Sequence, residues 1–181
     1  MEDAPLVAGT FRGDRIRVRD GDAVRRLDQD GYGDDEADGY NLKPFEALYL
    51  MSTDKLIVKK GRGILSFDGL LEACQEGDPD ILSKYLIYRD LRTRGYVAKD
   101  GFGFGIDFRV YDRGHFREKG AKFLVFGLNE GRNESARSFR KKIDEMAKMG
   151  KEPVVAVIER RGEIIYYKIN RIDFVDNRLA R

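Results

Sequence analysis

The sequence is short of the residues that build metal centres and disulfides. It carries a single cysteine, Cys74, and a single histidine, His115. One cysteine cannot close an internal disulfide, and a zinc site needs about four ligands of these types; no metal or other cofactor is expected. Cys74 lies in the apolar-rich stretch LLEACQEG, where it reads as a small buried hydrophobe before it reads as a reactive thiol. Long hydrophobic runs are missing too. Nothing approaches the roughly 18 consecutive apolar residues of a membrane helix, and the acidic opening MEDAPLVAGTF has no signal-peptide pattern. The expectation is a soluble, cytoplasmic protein with no membrane partner. Net charge is scarce as well. The 34 basic and 32 acidic side chains nearly cancel, leaving +2, so any contact with nucleic acid must come from a local patch. What the chain does have is charge of both signs, 36% of its residues, beside 41% apolar residues. That balance allows a core and matches the surfaces of heat-adapted proteins.

The pattern predicts an α+β protein of two small domains, a mixed α/β unit over residues 1–78 and an αβββαββ unit with a mixed sheet over residues 79–181. In the first, Ile16 and Val18 alternate with arginines as in a strand, residues 20–42 read as a Gly- and Asp-rich loop, and Pro44 opens a helix through Met51. LIVKKGRGILSF reads as two short strands, and Ser66 or Asp68 caps a helix through Cys74. In the second, Asp78 and Pro79 are expected to start a helix with Ile81, Leu82, Tyr85, Leu86, Tyr88 and Leu91 on its apolar stripe, closed by Gly95. A turn at Gly101, Gly103 and Gly105 lets Phe102 and Phe104 pack. IDFRVY alternates with period two, and KFLVFGL reads as a central strand buried on both faces. Asn133 is expected to cap a helix through Met149, with Ala136, Phe139, Ile143, Met146 and Ala147 inward, and the last two strands turn at Arg160 to Gly162.

The stretch YRDLRTRGYVAKDGFGFGIDFRVYDRG, Tyr88 to Gly114, resembles the archaeal tRNA-splicing endonuclease family. The likeness continues through AKFLV and PVVAVIERRGEIIYYKI, and is thinner in the first half, chiefly at KPFEALYLM. It implies an RNase that cuts precursor tRNA at bulge-helix-bulge junctions without metal, leaving a 2′,3′-cyclic phosphate and a 5′-hydroxyl. Such a cut needs a base for the 2′-hydroxyl, an acid for the leaving oxygen and a cation for the growing charge, and the family supplies Tyr, His and Lys.

By motif, the family tyrosine falls on Tyr111 and the lysine on Lys151, here beside Glu152. The histidine position falls on Gly120, which has no proton to give. His115 lies five residues upstream. It reads first as a solvated loop residue and second as a relocated acid, which would have to come within about 2.6–3.2 Å of the leaving oxygen. Tyr111 reads equally as a vestige of the site or as a packing residue, and Lys151 as a phosphate contact or a lysine at a helix C-terminus. The basic run Arg140 to Lys142, with Arg132 and Arg137, reads as a solvated helix face. The tip Glu159, Arg160, Arg161, Gly162 and Glu163 matches the loop that family members insert into a neighbouring subunit, or is an ordinary hairpin tip. Together these features imply a structural, non-catalytic subunit in a heterotetramer with two copies of a catalytic endonuclease chain, acting on precursor tRNA. The alternatives are a catalytic chain that uses His115, or an RNA-binding adaptor.

Overall fold

A computed structural model describes residues 6–103, 105–131, 133–170 and 172. The expected packing of the Phe102 and Phe104 side chains and the basic residue Arg132 lie outside the described residues.

The first unit is built on a six-stranded sheet. Its elements are β1 (Val7–Phe11), β2 (Ile16–Val18), α1 (Gly21–Gln29), β3 (Asp34–Glu36), β4 (Gly39–Leu42), α2 (Pro44–Ser52), β5 (Leu56–Lys60), β6 (Gly63–Leu65) and α3 (Phe67–Gln75). The sheet order is β3-β4-β2-β1-β5-β6, with β1 and β5 parallel. Residues 20–42 are therefore not a loop. Asp20 caps α1, its carboxylate accepting from the Ala23 amide at 2.7 Å. The helix buries only Ala23 and Leu27, so its apolar stripe is nearly hidden in a polar sequence. The acidic β3–β4 hairpin becomes possible because cations meet its carboxylates: Arg15 reaches Glu36 at 2.6 Å, Lys43 reaches it at 3.4 Å, and Arg17 pairs with Asp38.

The second unit follows the expected order: α4 (Ile81–Thr93), β7 (Val97–Gly103), β8 (Ile106–Tyr111), β9 (Phe123–Asn129), α5 (Ala136–Lys148), β10 (Glu152–Ile158) and β11 (Ile164–Lys168), in the sheet order β11-β10-β9-β8-β7. β9 and β10 are parallel, joined across α5. β9 is the middle strand, and its run is continuously apolar because each face meets a different core. Val125 joins the core that includes α4, and Leu124 and Phe126 join the one that includes Met146 of α5.

Three helix details differ from the expectation. Asp80, not Asp78, is the residue before α4, and Pro79 stays outside. Asp78 instead accepts from the Asp80 amide at 3.1 Å and from Lys84 Nζ at 2.6 Å. On α4, Ile81, Tyr85, Tyr88 and Leu91 are buried as expected, Ile87 is buried with them, and Leu82 is exposed. The cap of α5 is Ser135, accepting from Ser138 N at 3.1 Å, not Asn133, and Ala136 and Ala147 face outward. Ser66 caps α3 through the Gly69 amide at 3.1 Å. Ser66→Ala is expected to cost about 1 kcal/mol, read as a lower urea midpoint with an unchanged slope.

The two units share one core. Phe45 of α2 packs on Tyr88 of α4 at 5.0 Å and edge-on to Phe108 of β8 at 5.1 Å. The sheet of the second unit is thus held against the first by its face, while the end where β8 finishes and β9 and β10 begin carries the exposed residues Gly120 and Lys122.

Candidate functional site

Strand register brings the residues singled out by sequence to that end. Val110 pairs with Phe123, and Phe123 with Glu152. One step further, the Lys122 amide donates to Val110 O at 2.9 Å and the Glu152 amide to Lys122 O at 3.1 Å. Tyr111, Lys122 and Lys151 therefore stand at the same end of three neighbouring strands. Gly120 joins them: among the described residues beyond its chain neighbours, the atom within 4 Å of a Cβ built on it is Lys151 Nζ, at 3.3 Å. Its φ is not in the left-handed region, so the backbone there does not call for glycine. A side chain at this position would point at the ammonium.

The acidic groups next to Lys151 and Lys122 pair with other cations or with Lys122. Glu152, the acidic neighbour of Lys151, projects to the other side of the strand and pairs with Lys168 Nζ at 2.8 Å. Lys122 is 3.3 Å from Asp112. The hydrogen bond from Lys122, with the Arg113 amide, holds the Asp112 carboxyl below its ordinary range. No ion-pair partner of Lys151 is found among the described residues.

His115 lies in the turn between β8 and β9, where its carbonyl accepts from the amides of Glu118 and Lys119 at 3.1 and 3.0 Å. Its Nδ1 is 2.9 Å from Glu118 Oε2. The imidazole is thus held by a carboxylate of its own turn. Tyr111 is half-buried, and the Phe116 ring meets it edge-on at 4.9 Å. Phe116 and Lys122 escaped the sequence reading. Lys122 was visible only as the first residue of an apolar strand, and the Phe116 contact depends on how the turn folds.

At the hairpin tip, Glu159 N donates to Glu163 O at 2.9 Å and Gly162 N to Glu159 O at 2.8 Å. Gly162 takes a φ of 78°, which suits glycine. Arg160 projects with 87% of its side chain exposed, its Nε 3.8 Å from Glu130. Next to this tip β11 is a sheet edge carrying exposed Ile165 and Tyr167. On α5, Arg140 stands 3.6 Å from Asp144, as expected of a solvated face. Among the described residues, no group of three or more His, Cys, Asp or Glu is gathered as for a metal ion, and no helix is long and apolar enough to cross a membrane.

Two family patterns match the chain: "tRNA intron endonuclease, N-terminal domain" over residues 7–71, and "tRNA intron endonuclease, catalytic C-terminal domain" over residues 81–166. The tRNA-splicing endonuclease of Methanococcus vannielii is 32% identical over 86% of this chain and 89% of its own. That of Thermococcus onnurineus is 35% identical over 74% and 77% respectively. That of Thermococcus gammatolerans is 31% identical over 93% of this chain and 100% of its own.

Proposed function

Since the chain belongs to the tRNA intron endonuclease family, we propose that it works in tRNA splicing as a structural subunit, which holds and activates a separate catalytic chain on precursor tRNA. Residues 1–78 and 79–181 act as its two domains. The observation that carries this reading is Gly120. Transphosphorylation at a bulge-helix-bulge junction needs a base, an acid and a cation in hydrogen-bond reach of one phosphate. Tyr111 and Lys151 keep two of those places, and the third has no proton donor beside the Lys151 ammonium. The His115 imidazole, engaged by Glu118, does not supply it. Such a chain binds and orients RNA without breaking it.

Two copies pair with two catalytic chains, so that two cuts are made at a fixed separation. The exposed edge β11 gives one contact, because an apolar, unpaired strand edge favours pairing with another chain. The tip Glu159 to Glu163 gives the other. Reversing both arginines, Arg160→Glu with Arg161→Glu, is expected to split four-chain particles into pairs, seen as a halved mass in light scattering.

Coexpression with a catalytic chain tests the reading. Each chain alone and both together are assayed on a bulge-helix-bulge RNA, with cleavage expected only with the partner present and faster in the pair. Cleavage by this chain alone that His115→Ala abolishes would make it catalytic, and failure to copurify would make it an adaptor.

A further inference from the structure

The turn between β8 and β9 does not rest on its own unit alone. Phe116, whose ring walls Tyr111, reaches across to Gly31 at the end of α1. Gly31 has φ 76°, and a Cβ there would come within 2.7 Å of Val97 Cγ1 and 3.3 Å of Phe116 Cδ1. Glycine is required by both conformation and space, and its bareness lets the ring approach. The next residue, Arg117, donates from Nη2 to the Asp28 carbonyl at 2.8 Å and to the Asp28 carboxylate at 2.6 Å. Arg92, from α4, donates to the Asp30 carbonyl at 2.9 Å and stacks on Tyr32 at 4.0 Å. Two arginines of the second unit thus cover carbonyls at the C-terminus of α1, where the helix dipole favours cations.

Magnitudes rank these anchors. Both partners of the Arg117–Asp28 pair are more than half exposed, and such pairs are weak and screened by salt. The Phe116 ring is half-buried between Tyr111 and Gly31, with Lys99 Nζ 5.8 Å above it, and edge-to-face aromatic contact adds to burial.

We infer that Phe116, seated on Gly31, is a positioning residue for Tyr111, with Arg117 the second anchor, so that the N-terminal unit forms part of the site. This rests on the reading that Tyr111 belongs to an RNA-facing site; the position of the ring itself does not depend on the subunit's role. A residue in the second unit is oriented by a turn that the first unit holds, and separation of the units disorders the site before it disorders the sheet.

The test uses the full chain labelled on its tyrosine rings. Edge-on Phe116 shifts the Tyr111 ring resonances from their free values. Phe116→Ala is expected to move those resonances toward free tyrosine and to speed exchange of the Glu118 and Lys119 amides on the order of 10-fold, and Arg117→Ala to do both by a smaller amount, at most about 5-fold in exchange, while amides of β9 and β10 keep their protection. The swap Arg117→Asp with Asp28→Arg restores the shift. Unmoved Tyr111 resonances in Phe116→Ala overturn the inference, as does exchange that rises equally through the whole sheet. Affinity for a bulge-helix-bulge RNA is measured on the same variants. A moved ring with weakened RNA binding supports both readings. A moved ring with unchanged RNA binding keeps the positioning role and removes the RNA-facing one.

Discussion

Gly120→His is expected to turn the chain into a slow ribonuclease in its own right. The backbone at this position accepts an L-residue without strain, and what stands nearest is the far end of a flexible lysine, 3.3 Å from the new Cβ, which can swing aside at little cost. The imidazole would then lie beside the Lys151 ammonium, at the strand ends where Tyr111 also stands. A positioned general acid contributes about 10²–10⁴-fold, so cleavage of a bulge-helix-bulge RNA should rise at least about 100-fold over the unaltered chain. The donor must be protonated, so the gain should fade as pH climbs past the ordinary histidine range of about 6.5. In the Gly120→His background, Tyr111→Phe and Lys151→Met should each return the rate to baseline. A folded Gly120→His chain that binds the RNA and leaves it whole would sink the claim that only the acid is missing.

How far these features could be seen in the sequence depended on how local their causes are. The alternation in Ile106–Tyr111 and the apolar run of Phe123–Asn129 are set by which faces of one sheet are buried, so both were legible. The same logic failed for Gly21–Gln29, because a helix with only Ala23 and Leu27 buried has almost no stripe to read. It failed for the β3–β4 hairpin because its acids are neutralised by Arg15 and Arg17, which lie 21 residues earlier than their partners. At the site, the family resemblance named Tyr111, Gly120 and Lys151, and the register of three strands explains why residues so separated in sequence stand at the same end of the sheet. Phe116, Arg117 and Lys99 were not legible. Lys99 meets Gly33 across 66 residues and Arg117 meets Asp28 across 89, and no periodicity encodes contacts of that kind.

Stability is expected to fall as pH rises from about 5 to 8, and Glu46→Gln is expected to flatten much of that fall. Glu46 opens α2 with 1% exposure, at the seam between the units. Its oxygens accept from the Gly33 amide at 3.0 Å and the Lys43 amide at 2.9 Å. Lys99, 5% exposed on β7 of the other unit, donates to the Gly33 carbonyl and lies 3.1 Å from Asp34. Burial pushes the Glu46 carboxyl up to about 7, against the downward pulls of Lys99 and the two amides. A carboxyl with a folded pKa above its unfolded one favours the protonated native state. Its contribution is complete below an unfolded value of 4.5 and is lost as pH passes through about 7. The swing is on the order of 3 kcal/mol. Asp107, also raised by burial, adds a slope of the same sign, so the difference between variants is what isolates Glu46. Glutamine keeps one acceptor and sets an amide NH2 donor against the backbone N–H that the second oxygen accepted from. Glu46→Gln should therefore be less stable than the parent at pH 5, yet lose less between pH 5 and 8 in urea titrations. Equal losses in the two proteins would place the pH dependence elsewhere. The loosening should begin at the seam, with the Gly33 and Lys43 amides losing protection at pH 8 before those of the central strand β9, because local opening there returns the ionised carboxylate to water and relieves the cost of burying its charge.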